Sequence, residues 1–277
     1  MAGKGPISPC KMCLNVGELQ DSHLLPASVY RKLHSVHLRD PRNPNPDPIA
    51  VTARKVRQTS KQTTDYLLCP DCEGLLDRMG EKHVLPLLAN ELGFPLHDLL
   101  SGVAPNVVEP EFVAYACARI PALDCEKIAH FAAGIFWKAA IHEWAVDGST
   151  VKIDFRGYED AFRHYLLGGT PFPDRAALTL RVVPPGMPSL SAVAPIEARD
   201  PSLDMYWFYV PGIEFRLYIG DRTPPEIRQC CFVQNQAHPV IVDPTVAISL
   251  GGLFRESILG AKMSTRLAAV FDEDTKA

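Results

Sequence analysis

Two Cys-x-x-Cys pairs constrain the fold of this chain more than any other feature. The first pair is Cys10 and Cys13, the second is Cys69 and Cys72, and residues 14–68 separate them. Four thiolates match the preference of zinc for soft ligands in a tetrahedron, and each pair can form a tight turn on one side of the ion. We therefore predict one zinc ion bound by all four cysteines, with residues 14–68 folded between the two turns.

This zinc would be structural, because four sulfur ligands leave no coordination position open for water or substrate. The alternative is that the four residues are buried or redox-active thiols, although a thioredoxin-like pair normally occurs singly, between a strand and a helix. The remaining cysteines occur in apolar segments, where a cysteine usually behaves as a small buried hydrophobic residue. They are Cys117, Cys125, Cys230 and Cys231.

Composition indicates a globular protein. The 277 residues are 47% hydrophobic and 22% charged, with a net charge of -4, which suits one large domain or two modest ones. The N-terminal sequence MAGKGPISPC lacks the pattern of a secretory signal, and the apolar stretch IAHFAAGIFWKAAI is interrupted by His130 and Lys138. We predict a cytoplasmic protein that does not cross a membrane, in which paired cysteines bind metal rather than form disulfides.

The segments beside the cysteine pairs suggest a compact N-terminal unit. ELQDSHLLPASVYRKL places His23 just before two leucines and Pro26. VRQTSKQTTDYLL has the character of a strand leading into the second pair, and EGLLDRMGEKHVL is typical of a helix after it. We predict that residues 1–95 form this unit and that residues 96–277 form a second domain.

At these residues the chain resembles the zinc-stapled branch of the HNH, or ββα-metal, nucleases. In that family a Cys-x-x-Cys pair precedes an acidic-His-hydrophobic-hydrophobic-Pro motif, and a second pair is followed directly by a polar residue. The resemblance covers the N-terminal third and implies a β-hairpin and a helix around a divalent ion, Mg²⁺ or Mn²⁺. It implies that His23 is the general base and that Glu73, after the second pair, helps to bind the ion.

The chain departs from the family pattern at several positions. Ser22 precedes the histidine where the family has an acidic ligand, and Asp21 lies one place earlier. Glu73 replaces the usual Asn or His, although a carboxylate suits Mg²⁺ or Mn²⁺. Two alternatives therefore stay open: His23 could stabilise a turn or bind zinc, and Glu73 could interact with the helix dipole. The family asparagine has two candidates in a proline-rich loop, Asn43 and Asn45.

Basic charge is concentrated between the cysteine pairs. Residues 31–61 contain eight basic and two acidic residues, a local charge of +6 in a chain whose total is -4. Such a segment is typical of a phosphate-binding surface, and the alternative is a solvated loop. We predict that six of these residues bind nucleic acid: Arg31, Lys32, Arg54, Lys55, Arg57 and Lys61.

The remainder of the chain predicts a mixed helical and β body. Asp124 can cap a helix that runs to about Val146, and residues 158–167 suggest another helix. AALTLRVV and MYWFYVPGIEFRLYIG indicate strands, the second a hairpin turning at Pro211–Gly212, and RQCCFVQN and PVIV continue the β character. The fold class is therefore α+β, with a four-cysteine zinc-bound ββα module followed by this body.

Two functions are consistent with these features. The first is an HNH-like metal-dependent endonuclease that hydrolyses phosphodiester bonds of nucleic acid. Because modules of this kind are common in mobile elements and bacterial defence operons, the resemblance also implies an antiviral role. The alternative is a non-catalytic zinc module that binds nucleic acid or a protein partner with the same scaffold.

Overall fold

The computed structural model describes residues 5–38, 47–51, 55–146, 149–187, 190–198, 202–233, 235–259 and 261–262. Helices and strands are both abundant in it, so the α+β prediction is confirmed at this level. Within these ranges, no helix has the length and the apolar composition that crossing a membrane requires. Arg54, Asn43 and Asn45 lie outside the described residues.

The N-terminal region consists of short antiparallel strand pairs, one separate helix, and a helical segment that passes through α, π and 3-10 geometry. Its elements are β1 (Ile7–Pro9), β2 (Val16–Glu18), β3 (Gln20–His23), α1 (Ala27–Leu38), β4 (Ile49–Val51), β5 (Val56–Gln58), β6 (Thr64–Leu68), α2 (Pro70–Leu76), a π-helical turn (Asp77–Glu81), α3 (Lys82–Val84) and a 3-10 turn (Leu85–Leu87). β1 pairs with β2, β3 with β6 and β4 with β5, all antiparallel. The predicted strand before the second cysteine pair and the helix after it are thereby confirmed.

The body is built on a seven-stranded sheet. Its elements are α4 (Pro95–Ser101), β7 (Val107–Val108), β8 (Val113–Ala116), a 3-10 turn (Cys117–Arg119), α5 (Cys125–Ile141), β9 (Trp144–Val146), β10 (Ser149–Val151), α6 (Glu159–Leu166), β11 (Ala176–Val182), β12 (Val193–Glu197), β13 (Met205–Val210), β14 (Ile213–Ile219), α7 (Pro225–Gln229), β15 (Pro239–Val242) and α8 (Thr245–Leu259). The strand order is β12-β13-β14-β11-β15-β8-β7, and only the β11–β15 pairing within it is parallel. The predicted hairpin at Pro211–Gly212 is confirmed, and Gly212 adopts a φ of 87° that a glycine tolerates.

Helix α5 is the centre of the hydrophobic core. Asp124 caps it by accepting a hydrogen bond from the Lys127 backbone N–H at 3.1 Å. Every residue from 128 to 140 is buried, so the helix is covered on all sides. On the sheet side, the Phe136 ring lies 4.8 Å from the ring of Phe208. A single hydrophobic cluster includes this helix, the sheet and α2, and it therefore continues across residue 95; the division into two domains at that residue stays a prediction.

Two predictions about the body are wrong. The helix from Asp124 ends at Ile141 rather than near Val146, because residues 144–146 pair with residues 149–151 as a hairpin. The buried Trp144 indole then donates a hydrogen bond to the Lys138 carbonyl at 2.9 Å, which holds this hairpin against the helix end. The described residues of RQCCFVQN form no strand, since Pro225–Gln229 is helical and the next two backbone N–H groups hydrogen-bond back to this helix.

The π-helical turn packs closely against α5 through a glycine. A Cβ atom at Gly80 would lie 2.8 Å from the Phe131 Cα, which is closer than real Cβ contacts allow. The contact partner is helix backbone, so it cannot rotate away. This position therefore sets how near the π-helical turn Asp77–Glu81 can approach α5.

We expect Gly80→Ala to lower the free energy of unfolding by about 1–3 kcal/mol, because α5 must move to admit the methyl group. Gly74→Ala is the matched control in the same helical segment. A Cβ at Gly74 meets only the movable Arg78 side chain at 2.9 Å, so its effect should range from neutral to a gain of up to about 1 kcal/mol. Urea titration of both variants measures the difference, and equal effects would contradict the close packing.

Candidate metal centre and neighbouring acidic helix

The structure brings the four predicted cysteines together. The sulfur atoms of Cys10, Cys13, Cys69 and Cys72 all lie within 4.8 Å of one another. The Sγ atoms of Cys13 and Cys69 are 3.8 Å apart. A tetrahedron with zinc–sulfur bonds of about 2.3 Å has sulfur–sulfur edges of about 3.8 Å, so this geometry suits a zinc-sized ion. The cluster can therefore hold a metal such as zinc.

Backbone hydrogen bonds hold the two cysteine turns in register. The Lys11 N–H donates to the Leu67 carbonyl at 3.2 Å, which attaches the first turn to β6. The Cys69 N–H donates to the Cys10 sulfur at 3.4 Å, which joins the two pairs directly. The positions of the sulfurs thus follow from main-chain contacts, and the long separation in sequence is closed by the pairing of β3 with β6.

The two buried thiols of the cluster differ in their acidity. Burial raises the pKa of Cys10, but hydrogen bonds from the backbone of Cys13, Cys69 and Met12 outweigh burial and lower it to about 7. Burial raises the pKa of Cys72 well above its usual value, and the neighbouring thiols raise it further. Four thiolates at this spacing repel one another, so a cation is needed to keep all four deprotonated.

His23 lies at the end of β3, where its backbone is fixed by the core. The residue is half-buried, and its register partner in β6 is Thr64. Its carbonyl oxygen accepts a hydrogen bond of 2.6 Å from the Nζ of Lys138, which is 2% exposed. A buried ammonium needs such partners, because removing it from water is costly. The strand end that bears His23 is therefore bound to the centre of α5.

Ser22 occupies the interior side of β3. It is buried, and its hydroxyl accepts a hydrogen bond from the Leu68 backbone N–H at 3.2 Å. Asp21 is exposed, and residues two apart on a strand share a face, so Asp21 and His23 point to the same side. Ser22 thus has a structural role, joining β3 to β6.

Glu73 lies in the first turn of α2, directly after the second cysteine pair. Its backbone N–H donates to the Cys69 carbonyl at 3.0 Å. Its Oε1 atom is buried and has no hydrogen-bond partner among the described residues. A carboxylate oxygen without a partner in a protein interior is unusual, and it commonly indicates a water or an ion that completes the site.

Two further carboxylates follow Glu73 along the same helical segment. Burial raises the pKa of Glu81, the nearby Lys138 ammonium lowers it, and Glu73 and Asp77 raise it again. Glu81 therefore interacts electrostatically with Glu73, Asp77 and Lys138, and Asp77 also forms an ion pair with Lys82 at 2.9 Å. The segment from Asp77 to Glu81 is π-helical, a rare conformation that is often found at functional sites.

Sequence reasoning missed Glu81 and Lys138. A signal for Lys138 was present, because it is the one charged side chain inside an apolar stretch that forms the buried helix α5. The structure does not bring His23 and Glu73 into a second group of metal-binding side chains: the described residues contain no further set of three His, Cys, Asp or Glu ligands close enough to share an ion.

The predicted nucleic-acid-binding residues lie on two elements and a loop. Arg31 and Lys32 belong to α1, and burial lowers the pKa of Lys32 while Glu91 raises it. Lys55 and Arg57 lie on the β4–β5 hairpin. Lys61 is exposed in the loop that follows. The structure leaves the proposed binding role of all of them untested.

Among the described residues, the four-cysteine cluster is the group whose geometry suits a metal ion. No protein-family model, no curated protein and no solved structure matches this chain. Assignment of a function therefore rests on the residues and their geometry.

We expect the purified protein to contain about one zinc ion per chain by elemental analysis. Cys69→Ser should lose most of this zinc and lower the melting temperature, because metal binding and folding are coupled in such sites. Cys230→Ser is the matched control, since Cys230 is also half-buried but lies outside the cluster. A folded wild-type protein without bound metal would contradict the assignment.

Proposed function

We propose that this protein is an HNH-like, metal-dependent endonuclease that hydrolyses phosphodiester bonds of nucleic acid. The observation that carries the proposal is the buried, unpartnered Oε1 of Glu73, in the helix that follows an antiparallel strand pair ending in His23. The antiparallel pairing of β3 with β6, the helix α2 and the four clustered cysteines support the proposal.

Each proposed role uses a specific chemical property. The His23 imidazole accepts a proton from the attacking water, since a histidine can be neutral near pH 7. Glu73, with Glu81 beside it, offers the oxygen ligands that Mg²⁺ or Mn²⁺ prefers, and such an ion would stabilise negative charge on the phosphate. Lys138 acts through His23 by holding its carbonyl, so it is a positioning residue.

A second candidate function is a non-catalytic zinc module that binds nucleic acid or protein. Ser22 favours it, because this buried hydroxyl bonds to the backbone where HNH nucleases place a metal ligand. The two candidates differ in outcome, since such a module would bind nucleic acid without cleaving it. An antiviral role remains a prediction of the resemblance alone.

We expect His23→Ala to reduce cleavage of DNA or RNA by about a hundredfold or more, because the variant lacks the general base. Zinc content, melting temperature and nucleic-acid affinity should stay at wild-type values. His164→Ala, which removes an exposed histidine of α6, is the matched control and should cleave normally.

The same assays decide between the two candidates. Glu73→Gln should raise the concentration of Mg²⁺ or Mn²⁺ that gives half-maximal cleavage, with little effect on binding of substrate. If wild-type protein binds nucleic acid but cleaves neither single- nor double-stranded DNA or RNA with either metal, the nuclease proposal is wrong and the binding module is favoured.

We expect basic residues between the two cysteine pairs to bind the phosphate backbone of nucleic acid. Replacement of Arg54, Lys55 and Arg57 by Ala should weaken nucleic-acid binding and reduce its salt dependence, because fewer counterions are released. The control triple variant removes exposed basic residues of the body: Arg119, Lys152 and Arg175. Fluorescence anisotropy at several salt concentrations measures both effects. An equal loss in the two variants would mean that net charge alone governs binding.

A further inference from the structure

A cleft of about 710 Å³ lies between the helical segment formed by α2 and the π-helical turn and residues of the body. Leu75 and Met79 line one side, and the opposite side is formed by α5, α6 and the loop at residues 168–174. This volume lies in the range of pockets that bind small organic molecules, about 300–1,000 Å³. None of the residues proposed above for catalysis or zinc binding lines it.

Aromatic rings form a continuous wall of this cleft. The ring centroids of His130 and Tyr165 are 5.9 Å apart, and Tyr165 and Phe172 meet edge to face at 5.3 Å. Each of the three residues is at most 9% exposed, so packing fixes the positions of their rings. A fixed aromatic wall suits a flat or aromatic ligand and also a cation, which is attracted to the ring faces.

His130 contributes a buried ring to the wall. Its Nε2 lies 3.1 Å from the Leu166 carbonyl, which can only accept, so Nε2 carries the proton. Burial lowers the pKa of His130, with a smaller opposing effect from that hydrogen bond, and the ring stays neutral. Its Nδ1 is then an acceptor, and it has no hydrogen-bond partner in the described part of the chain.

The charge of the cleft is negative. Glu126, in the first turn of α5, and Asp174 both line it, and no lysine or arginine is among the described residues that do. Glu126 and Tyr165 line the same cleft, and burial raises the pKa of Tyr165 while the Glu126 carboxylate raises it further. Two basic residues next in sequence to these carboxylates are paired with other acids: Lys127 with Asp124, and Arg175 with Asp221.

From this combination we propose that the cleft is a binding site for a small organic amine, namely a protonated aromatic amine whose ring packs against Tyr165 and Phe172 and whose ammonium group pairs with Glu126. Two carboxylates without a lysine or arginine among the described lining residues disfavour anionic ligands such as phosphates and carboxylates. The ligand would also contact Leu75 and Met79 on the segment that bears Glu73 and Glu81, and it could thereby stabilise that segment.

Titration of the full-length protein with tryptamine tests this site directly. Indole-3-propionate is the matched probe, because it has the same ring system with a carboxylate in place of the amine. Isothermal titration calorimetry should show saturable binding of tryptamine and at least about tenfold weaker binding of indole-3-propionate. No nuclease assay is involved, so failure here would leave the proposed function unaffected.

Two glutamate variants locate the binding. Glu126→Gln should weaken tryptamine binding by about fivefold or more, since the ion pair is lost. Glu111→Gln, which changes an exposed glutamate outside the cleft, should leave it unchanged, and thermal melts of both variants without ligand confirm that they are folded. The proposal is overturned by absence of saturable tryptamine binding up to about 10 mM, by equal binding of the two probes, or by an unchanged affinity in Glu126→Gln.

Discussion

The buried charge of Lys138 is the constraint on which the arrangement of the site depends. An ammonium group inside a hydrophobic core is costly unless nearby polar groups compensate it. The His23 carbonyl and the carboxylate of Glu81 provide this compensation from two different elements, the end of β3 and the π-helical turn. The hydrogen bond attaches the end of β3 to α5, and Glu81 acts on the same nitrogen electrostatically, so α5 as well as the cysteine cluster positions these elements.

Two further contacts between the N-terminal region and the body end at α5 or α6. Asp65 of β6 lies 2.9 Å from the His142 ring, just after α5 ends. Arg163 of α6 donates to the Met12 carbonyl, between the two cysteines of the first pair, at 3.3 Å. The cysteine cluster therefore holds the strand pair together locally, and the two helices orient it on the sheet.

Local patterns were sufficient to predict the cysteine cluster, the helix after the second pair and the hairpin at Pro211–Gly212, since each depends on spacing or on turn residues nearby in sequence. The end of α5 was missed because Trp144 leaves the helix to pair with a later strand, which is a long-range contact. Glu81 and Lys138 were missed for the same reason. Their roles depend on a contact between helices about sixty residues apart in sequence, which no local pattern reveals.

The β4–β5 hairpin has a consequence for the order in which the protein can assemble. The Val56 backbone N–H donates to the Lys262 carbonyl at 3.0 Å, and α8 packs near β4. Chains fold from the N-terminus as they are synthesised. On the ribosome the cysteine turns, β6 and α2 can form long before residue 262 emerges, whereas the contact of the hairpin with Lys262 must wait for it. The β4–β5 hairpin would thus acquire its contact with Lys262 only after the sheet and helices of the body that precede this residue have been synthesised.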